Sequence, residues 1–251
     1  MKKILVFLYG VVSYVMFLGT LLYVFGFIGN LFVPKSLDSG PVGPLGQALL
    51  IDTLLLGVFA VQHSVMARRG FKNWLTRFIP KAAERSTYVL LSNLCLILLC
   101  WQWQPLGGMI WQVESILGQG IFYSLFGLGV IIIVMSTFLL NHFDLFGLRQ
   151  VYLYLRGIEY TPLKFDTPWF YSYVRHPLYV GFLLVLWSTP TMTITHLVFA
   201  IASTAYILIA IQFEERDLVH EHGENYLRYR EEVPMIIPRP AKAKAASQAA
   251  N

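Results

Sequence analysis

The sequence predicts an all-α integral membrane protein, with four transmembrane helices followed by a helical hairpin and a cytoplasmic C-terminal helical segment. Three observations carry that reading. Of 251 residues, 56% are hydrophobic and only 13% charged, about half the charge of an ordinary soluble domain. Apolar runs of about 20 residues, the length that crosses the hydrocarbon core as a helix, recur along the chain. Lys and Arg gather in alternate connections between those runs, as they do in cytoplasmic loops.

The first run, 4–33, is too long for the core of a signal peptide and meets no small-residue cleavage site, so it reads as a retained helix. Lys2 and Lys3 precede it. The second run, 45–66, leads into a basic loop carrying Arg68, Arg69, Lys72, Arg77, Lys81 and Arg85. Runs at 87–104 and 120–140 follow, and then a connector with Arg149, Arg156, Lys164 and Arg175. Region 177–213 is broken by "STPTMT" at 188–193, whose proline and threonines suit a turn between two helical arms. Beyond it lie Arg216, Arg228, Arg230, Arg239, Lys242 and Lys244, and only Lys35 falls on the opposite side. Basic residues at both ends of the broken region require an even number of crossings there. The prediction is six membrane segments with both termini cytoplasmic, in a bacterial inner membrane. The tail "AKAKAASQAAN", 241–251, has no large apolar residue to bury and is expected to be disordered.

The net charge of +5 is accounted for by topology, so no nucleic-acid partner is expected. Cys95 and Cys100 share one apolar segment at a spacing unsuited to metal, and read as packing residues. His63, His142, His176, His220 and His222 fall at or beyond the predicted cytoplasmic helix ends, with His196 near the opposite turn. Five of six on one face point to a site there. A metal centre is not expected, because the one close pair, "HEH" at 220–222, has residues two apart that do not share a helix face.

Two stretches can build the site. "NHFDLFGLRQVYLYLRG", 141–157, interleaves Asn141, His142, Asp144, Arg149 and Gln150 with aromatic and aliphatic residues, as an amphipathic segment at the interface does. "FEERDLVHEHGENYLRYREEVPMIIP", 213–238, places Glu215, Leu218 and His222 on one helix face; Gly223 interrupts, and Tyr226 and Tyr229 share the next. Joined to Arg175-His176-Pro177, these pieces offer an arginine for a carboxylate, a glutamate for a ribose diol, tyrosines to stack on a purine, and anionic and aromatic groups for a sulfonium. That set describes S-adenosylmethionine. No GxGxxG fingerprint and no phosphate-cradling glycine loop is present.

At these residues the chain resembles the membrane methyltransferases related to isoprenylcysteine carboxyl methyltransferase, through "RHPLYVG" (175–181), "EERDL" (214–218) and "YLRYREEVPMIIP" (226–238). More closely, "VQHSVMARRGFKNWLTRFIPKAAERSTYVLLSN" (61–93) and "NHFDLFGLRQVYL" (141–153) resemble the bacterial methanethiol S-methyltransferases, over about residues 10–238. The resemblance implies methyl transfer from S-adenosylmethionine to methanethiol, giving dimethyl sulfide and S-adenosylhomocysteine without a metal. It assigns Arg175, His176, Pro177, Tyr179 and Gly181 to one wall of the donor site, and Glu214, Glu215 and Leu218 to another. Tyr226 and Tyr229 close the purine end. The implied organisation is a four-helix membrane region (1–140), then a connector, hairpin and donor-binding C-terminal region (141–240).

The nucleophile is a thiolate, so a base or a stabilising field is required. His142 with Asp144, or His176, can take the proton; the first pair is preferred because a carboxylate can orient the imidazole. Arg85, Ser86 and Tyr88 with His63 either line the substrate side or tie the basic loop to the membrane surface, and the tie is preferred. The expected partners are a small volatile thiol and the lipid bilayer. Two other readings stand beside this one: methylation of another small thiol or a carboxylate, and a non-catalytic membrane protein of the branch linked to nitrite and nitric oxide metabolism. A transporter would place ionisable groups at the membrane midplane on several helices, whereas Asp52 is the one clear acidic candidate.

Overall fold

The computed structural model describes residues 1–163 and 167–238. The tail expected to be disordered, and Lys164, Arg239, Lys242 and Lys244 of the charge pattern, lie outside the described residues. The chain is mostly helical. In order it forms α1 (Lys2–Gly29), α2 (Leu45–Ala67), α3 (Arg69–Leu75), α4 (Glu84–Gln102), β1 (Met109–Gln112), α5 (Ile116–Leu139), α6 (His142–Leu145), α7 (Leu148–Arg156), α8 (Pro177–Trp187), β2 (Thr191–Thr193), α9 (Ile194–His222) and α10 (Glu224–Glu232). Five of these, α1, α2, α4 with its preceding 3-10 turn, α5 and α9, are long and apolar enough to cross a membrane. Their surfaces agree: Leu5, Val12 and Leu22 of α1 and Leu50, Leu54 and Val61 of α2 are exposed, a pattern costly in water and natural against lipid.

The bundle interior packs Phe27, Trp103 and Phe199 edge to face, with Leu99, Ile133, Val185 and Ile211 around them. Helices α5 and α8 make the most extensive contact of any pair. They approach closely because Gly129 faces Gly181: a Cβ on Gly181 would lie 2.7 Å from the Gly129 carbonyl oxygen. Small residues at such a crossing let two backbones meet where lipid gives no hydrophobic drive.

The expected hairpin differs in detail from the prediction. Its first arm, α8, has 11 residues and rises about 16 Å, roughly half the hydrocarbon core. Residues 188–193 are not a simple turn. They run extended into β2, which pairs antiparallel with β1, and Val113 N–H donates to the Pro190 carbonyl at 2.9 Å. The β-branched threonines favour that extended form. Ser188, Thr189 and Met192 are buried, and non-helical backbone is tolerated in a membrane protein where it is enclosed and paired. Thr193 then caps α9, accepting from His196 N–H at 2.9 Å.

At this β-strand end Asp52, buried at 1% exposure, accepts the Gln104 backbone N–H at 2.9 Å. It closes the end of α4 rather than lining a transport path. His196 is fully enclosed and donates Nε2–H to the Leu186 carbonyl. Cys95 and Cys100 are free thiols, the second in the core, as packing residues would be.

Candidate functional site

The opposite end of the bundle gathers the polar chemistry. Pro177 opens α8, where a missing N–H is harmless and the fixed φ suits the first helical residue. The two residues before it are thereby held at a helix mouth. Arg175 and His176 are also held by a backbone pairing with the C-terminal segment: Arg175 N–H donates to Pro234 O at 2.9 Å, and His176 N–H to Met235 O at 3.2 Å. Nothing in their local sequence shows this, since the partners lie about sixty residues on.

The side chains form one network. Arg175 Nε donates to Glu215 Oε1 at 2.7 Å, and its Nη1 donates to the carbonyls of Arg230, at 2.9 Å, and Val233. Both ends of the ion pair are buried, at 9% and 8% side-chain exposure, and a buried charge must be paired this way. His176 Nε2 lies 3.1 Å from the same Glu215 oxygen, and its Nδ1 lies 4.0 Å from Glu214 Oε2. Tyr179 donates to Glu214 Oε2 at 2.9 Å. Glu214 is 45% exposed, so this carboxylate is open where its neighbour is sealed. Successive residues on α9 thus do different work, Glu215 inward to the clamp and Glu214 toward the opening.

Gly223, at φ 56°, breaks α9 from α10 and turns the tyrosines back over the network. Tyr226 is buried at 1% exposure, its ring 5.7 Å from that of Tyr229. Tyr229 donates to the Tyr171 carbonyl at 2.6 Å. Burial raises the hydroxyl pKa of Tyr226 and Tyr171 and pushes that of Tyr229 up to about 12. All three therefore stay neutral at physiological pH, and none can serve as a base there. Leu218 is half-buried on α9, one turn from Glu214 and Glu215.

Two of the assigned residues also make structural contacts. Gly181, assigned to the donor wall, sits in the α5–α8 crossing. Arg175, assigned to a carboxylate of the donor, has its guanidinium engaged by Glu215 and two carbonyls. The half-exposed Arg230, whose Nη1 lies 4.0 Å from Glu215 Oε2, adds a cation beside the network, and its position in a generic charged helix gave no sign of this.

The preferred proton-accepting pair is not brought together. His142 and Asp144 are two apart in the single turn α6, and residues so spaced face opposite ways. Asn141, left-handed at φ 76°, redirects the chain from α5 and caps α6, a conformation asparagine tolerates. His142 turns inward: Thr137 Oγ1 lies 2.8 Å from Nδ1, Tyr14 Oη 2.8 Å from Nε2, and Phe138 stacks on the ring at 4.4 Å. Burial lowers its pKa, so the ring stays neutral. Asp144 turns outward to Arg149 at 2.7 Å and Tyr160 at 3.2 Å, which fixes the connector. No hydrogen bond or ion pair among the described residues links either to the Arg175 network. The imidazole–carboxylate contact expected there is made by His176 and Glu215.

The "ERSTY" stretch divides in two. Arg85 Nε donates to the Leu145 carbonyl at 2.8 Å, and Ser86 packs on Gly147; both tie the basic loop to the segment that follows α5. Tyr88 instead points between helices to His63, 2.8 Å from its Nε2. No group of three or more potential metal ligands occurs among the described residues.

The chain is similar to the methanethiol S-methyltransferase of Crocosphaera subtropica, 63% identical over 238 residues, 95% of this chain and 93% of that protein. It is 51% identical to the methanethiol S-methyltransferase of Mycobacterium tuberculosis over 240 residues, 96% and 98% of the two chains. Mouse Nurim is more distant, 31% identical over 208 residues, 79% of this chain and 76% of that one. No family model and no solved structure matches.

Proposed function

Because the chain belongs to the methanethiol S-methyltransferase family, within a wider membrane family that includes Nurim, we propose that it methylates methanethiol to dimethyl sulfide, with S-adenosylmethionine as donor and S-adenosylhomocysteine as second product. Identity of 63% along nearly the whole chain carries this reading. It favours the thiol over another acceptor, and over a non-catalytic role of the kind the more distant relatives leave open.

The residues present fit such a donor by their chemistry. An open carboxylate, Glu214, stands beside the sealed Arg175–Glu215–His176 network, with Tyr226 and Tyr229 above it. When bound, the donor supplies an electrophilic methyl on a sulfonium. Glu214 accepts from the ribose diol, the tyrosines cover the purine, and the anionic and aromatic surroundings favour the cation. Arg175, His176 and Glu215 hold the floor of the site rigid, and Arg230 is placed to meet the donor carboxylate. Pro177 and Leu218 shape the walls. A dry, preorganised site also favours the neutralising meeting of thiolate and sulfonium.

In the membrane, α8 and α9 are proposed to act as the hairpin that brings the crossings to six segments, with both termini and the site on the cytoplasmic side of a bacterial inner membrane. The basic residues at the site end support that orientation. A small apolar thiol then enters from lipid, and the sulfide leaves by it.

The test is a headspace assay on detergent-solubilised protein with methyl-labelled S-adenosylmethionine and methanethiol. Labelled dimethyl sulfide is the expected product. Its absence, with protein folded and thiol in excess, sinks the assignment.

A further inference from the structure

A second polar cluster lies between helices and takes no part in the clamp. It contains His63 and Ser64 of α2, Tyr88 and Ser92 of α4, and Tyr206 of α9. Polar groups inside membrane-spanning helices are costly and tend to mark function. Apart from Ser92, which is buried, these side chains are half-buried, as are Tyr179 and Glu214, so the cluster keeps open surface on which a small molecule can seat. Phe59 stacks on His63, ring centroids 5.1 Å apart at 28°, and meets Tyr206 edge-on at 6.0 Å. Ser64 Oγ lies 3.2 Å from Tyr206 Oη.

The hydrogen bonds favour one histidine tautomer. Ser92 uses its one hydroxyl proton on the Tyr88 carbonyl, at 2.9 Å. Its oxygen lies 3.2 Å from His63 Nδ1 and can only accept there; the Tyr88 hydroxyl lies 3.0 Å from Nδ1 and 2.8 Å from Nε2, and the assignment that satisfies Ser92 and Tyr88 together places the ring proton on Nδ1. His63 Nε2 is left as the basic nitrogen, and the Tyr88 hydroxyl 2.8 Å away donates to it. Four other histidines lack this combination of basic nitrogen and access. His142 is 6% exposed with hydroxyls at both nitrogens. His176 is 4% exposed between two carboxylates. His196 is enclosed at the far end of the bundle, and His220 sits on Arg69 at the exposed end of α9. The cleft adjoins the donor site along α9, where Tyr206 lies about two turns before Glu214, the acceptor of the Tyr179 hydroxyl at 2.9 Å.

We propose that this cleft binds the thiol, with Tyr88 as proton relay and His63 as the final proton acceptor. The proposal rests on the methyl-transfer reading above. The thiol S–H donates to Tyr88 Oη, and as its proton moves to that oxygen the tyrosine proton moves to His63 Nε2. The thiolate sulfur then forms a bond to the sulfonium methyl carbon, and the electron pair of the broken carbon–sulfur bond stays on the departing thioether. The imidazolium returns its proton to water. Ser92 is a positioning residue, holding the tautomer.

The experiment compares wild type, His63→Gln and Tyr88→Phe in detergent. One measurement is the turnover number against pH at saturating donor. A second needs no turnover: ultraviolet absorption of thiolate when methanethiol is added to protein saturated with S-adenosylhomocysteine. Wild type shows bound thiolate at neutral pH. Both variants keep their affinity for S-adenosylhomocysteine and lose the thiolate signal. Their turnover falls by about 10²–10⁴-fold at neutral pH and recovers as pH rises toward the pKa of the free thiol, where solution thiolate replaces the missing base. Should His63→Gln fail to fold, Tyr88→Phe, which removes one oxygen, decides. An unchanged thiolate signal and a wild-type pH profile in the folded variants overturn the proposal. Wild type that makes no labelled sulfide would instead overturn the methyltransferase reading.

Discussion

Gly181→Ala tests whether this glycine packs helices or walls the donor site. The added Cβ would meet the Gly129 carbonyl oxygen and Ile133 Cγ1 at 2.7 Å and the Ile133 backbone nitrogen at 3.0 Å, where ordinary contact begins at 3.4 Å. Two of the three obstacles are backbone on α5, so no side-chain rotation relieves them, and the helices must separate by several tenths of an ångström along their main contact. Overpacking of this kind costs about 1–3 kcal/mol. Gly127→Ala, two residues from Gly129 on the same helix, is the control. Its Cβ would meet nothing within 4 Å, and replacing a half-buried helical glycine with open space around it by alanine gains up to about 1 kcal/mol. Thermal unfolding in one detergent should move the two variants in opposite directions. Affinity for S-adenosylhomocysteine, read by calorimetry, should fall only as far as the folded fraction falls. If Gly181→Ala retained full stability and lost donor affinity, the packing account would be wrong and the glycine would belong to the site.

Four further outcomes follow from the same geometry. Arg175→Ala strips buried Glu215 of its main cation, leaving it His176 and the half-exposed Arg230, and removes the side-chain donor to the carbonyls of Arg230 and Val233, a loss of about 3–5 kcal/mol; Arg175→Lys should recover little, because one ammonium cannot reproduce the fork. Glu214→Gln, at a half-exposed position, should weaken donor binding in a calorimetric titration while leaving the unfolding temperature near wild type; the reverse pattern would remove Glu214 from the donor site. His142 has a folded pKa depressed by burial, so below about pH 6.5 the unfolded chain binds the extra proton. Its contribution is full above that pH and is lost as pH falls, so stability should drop on acidification with a shallower slope in His142→Asn. Asp144→Asn should loosen the connector, seen as faster proteolysis between 145 and 163, without moving the pH dependence of turnover; a shifted pH profile would restore Asp144 to the proton path.

Local pattern made much of this protein legible. The four apolar runs became α1, α2, α4 and α5 within a few residues, because crossing the hydrocarbon core imposes length and composition directly. Gly223 ended α9 as expected, and Tyr226 and Tyr229 met on α10, because turn chemistry and helical spacing are local properties. Sequence also singled out Arg175, His176, Glu214 and Glu215, which converge in one network. What it misjudged depended on direction or distance. The threonines of 188–193 read as a turn until β1, some eighty residues earlier, supplied a pairing partner. His142 and Asp144 looked like a pair until one helical turn pointed them apart. For Gly181, only the facing Gly129 shows that its missing side chain lets α5 approach. His63 and Tyr88, 25 residues apart, met across two helices in an orientation no spacing specifies.

The sequence by itself determined that this chain is a membrane protein and which end is polar, since both follow from transfer free energies that act residue by residue. It also determined the family, through motifs in order. Only the tertiary structure decided which polar groups face one another. Hydrogen bonds and ion pairs depend on angstrom-scale distance and orientation, and helix packing sets these between residues far apart in the chain.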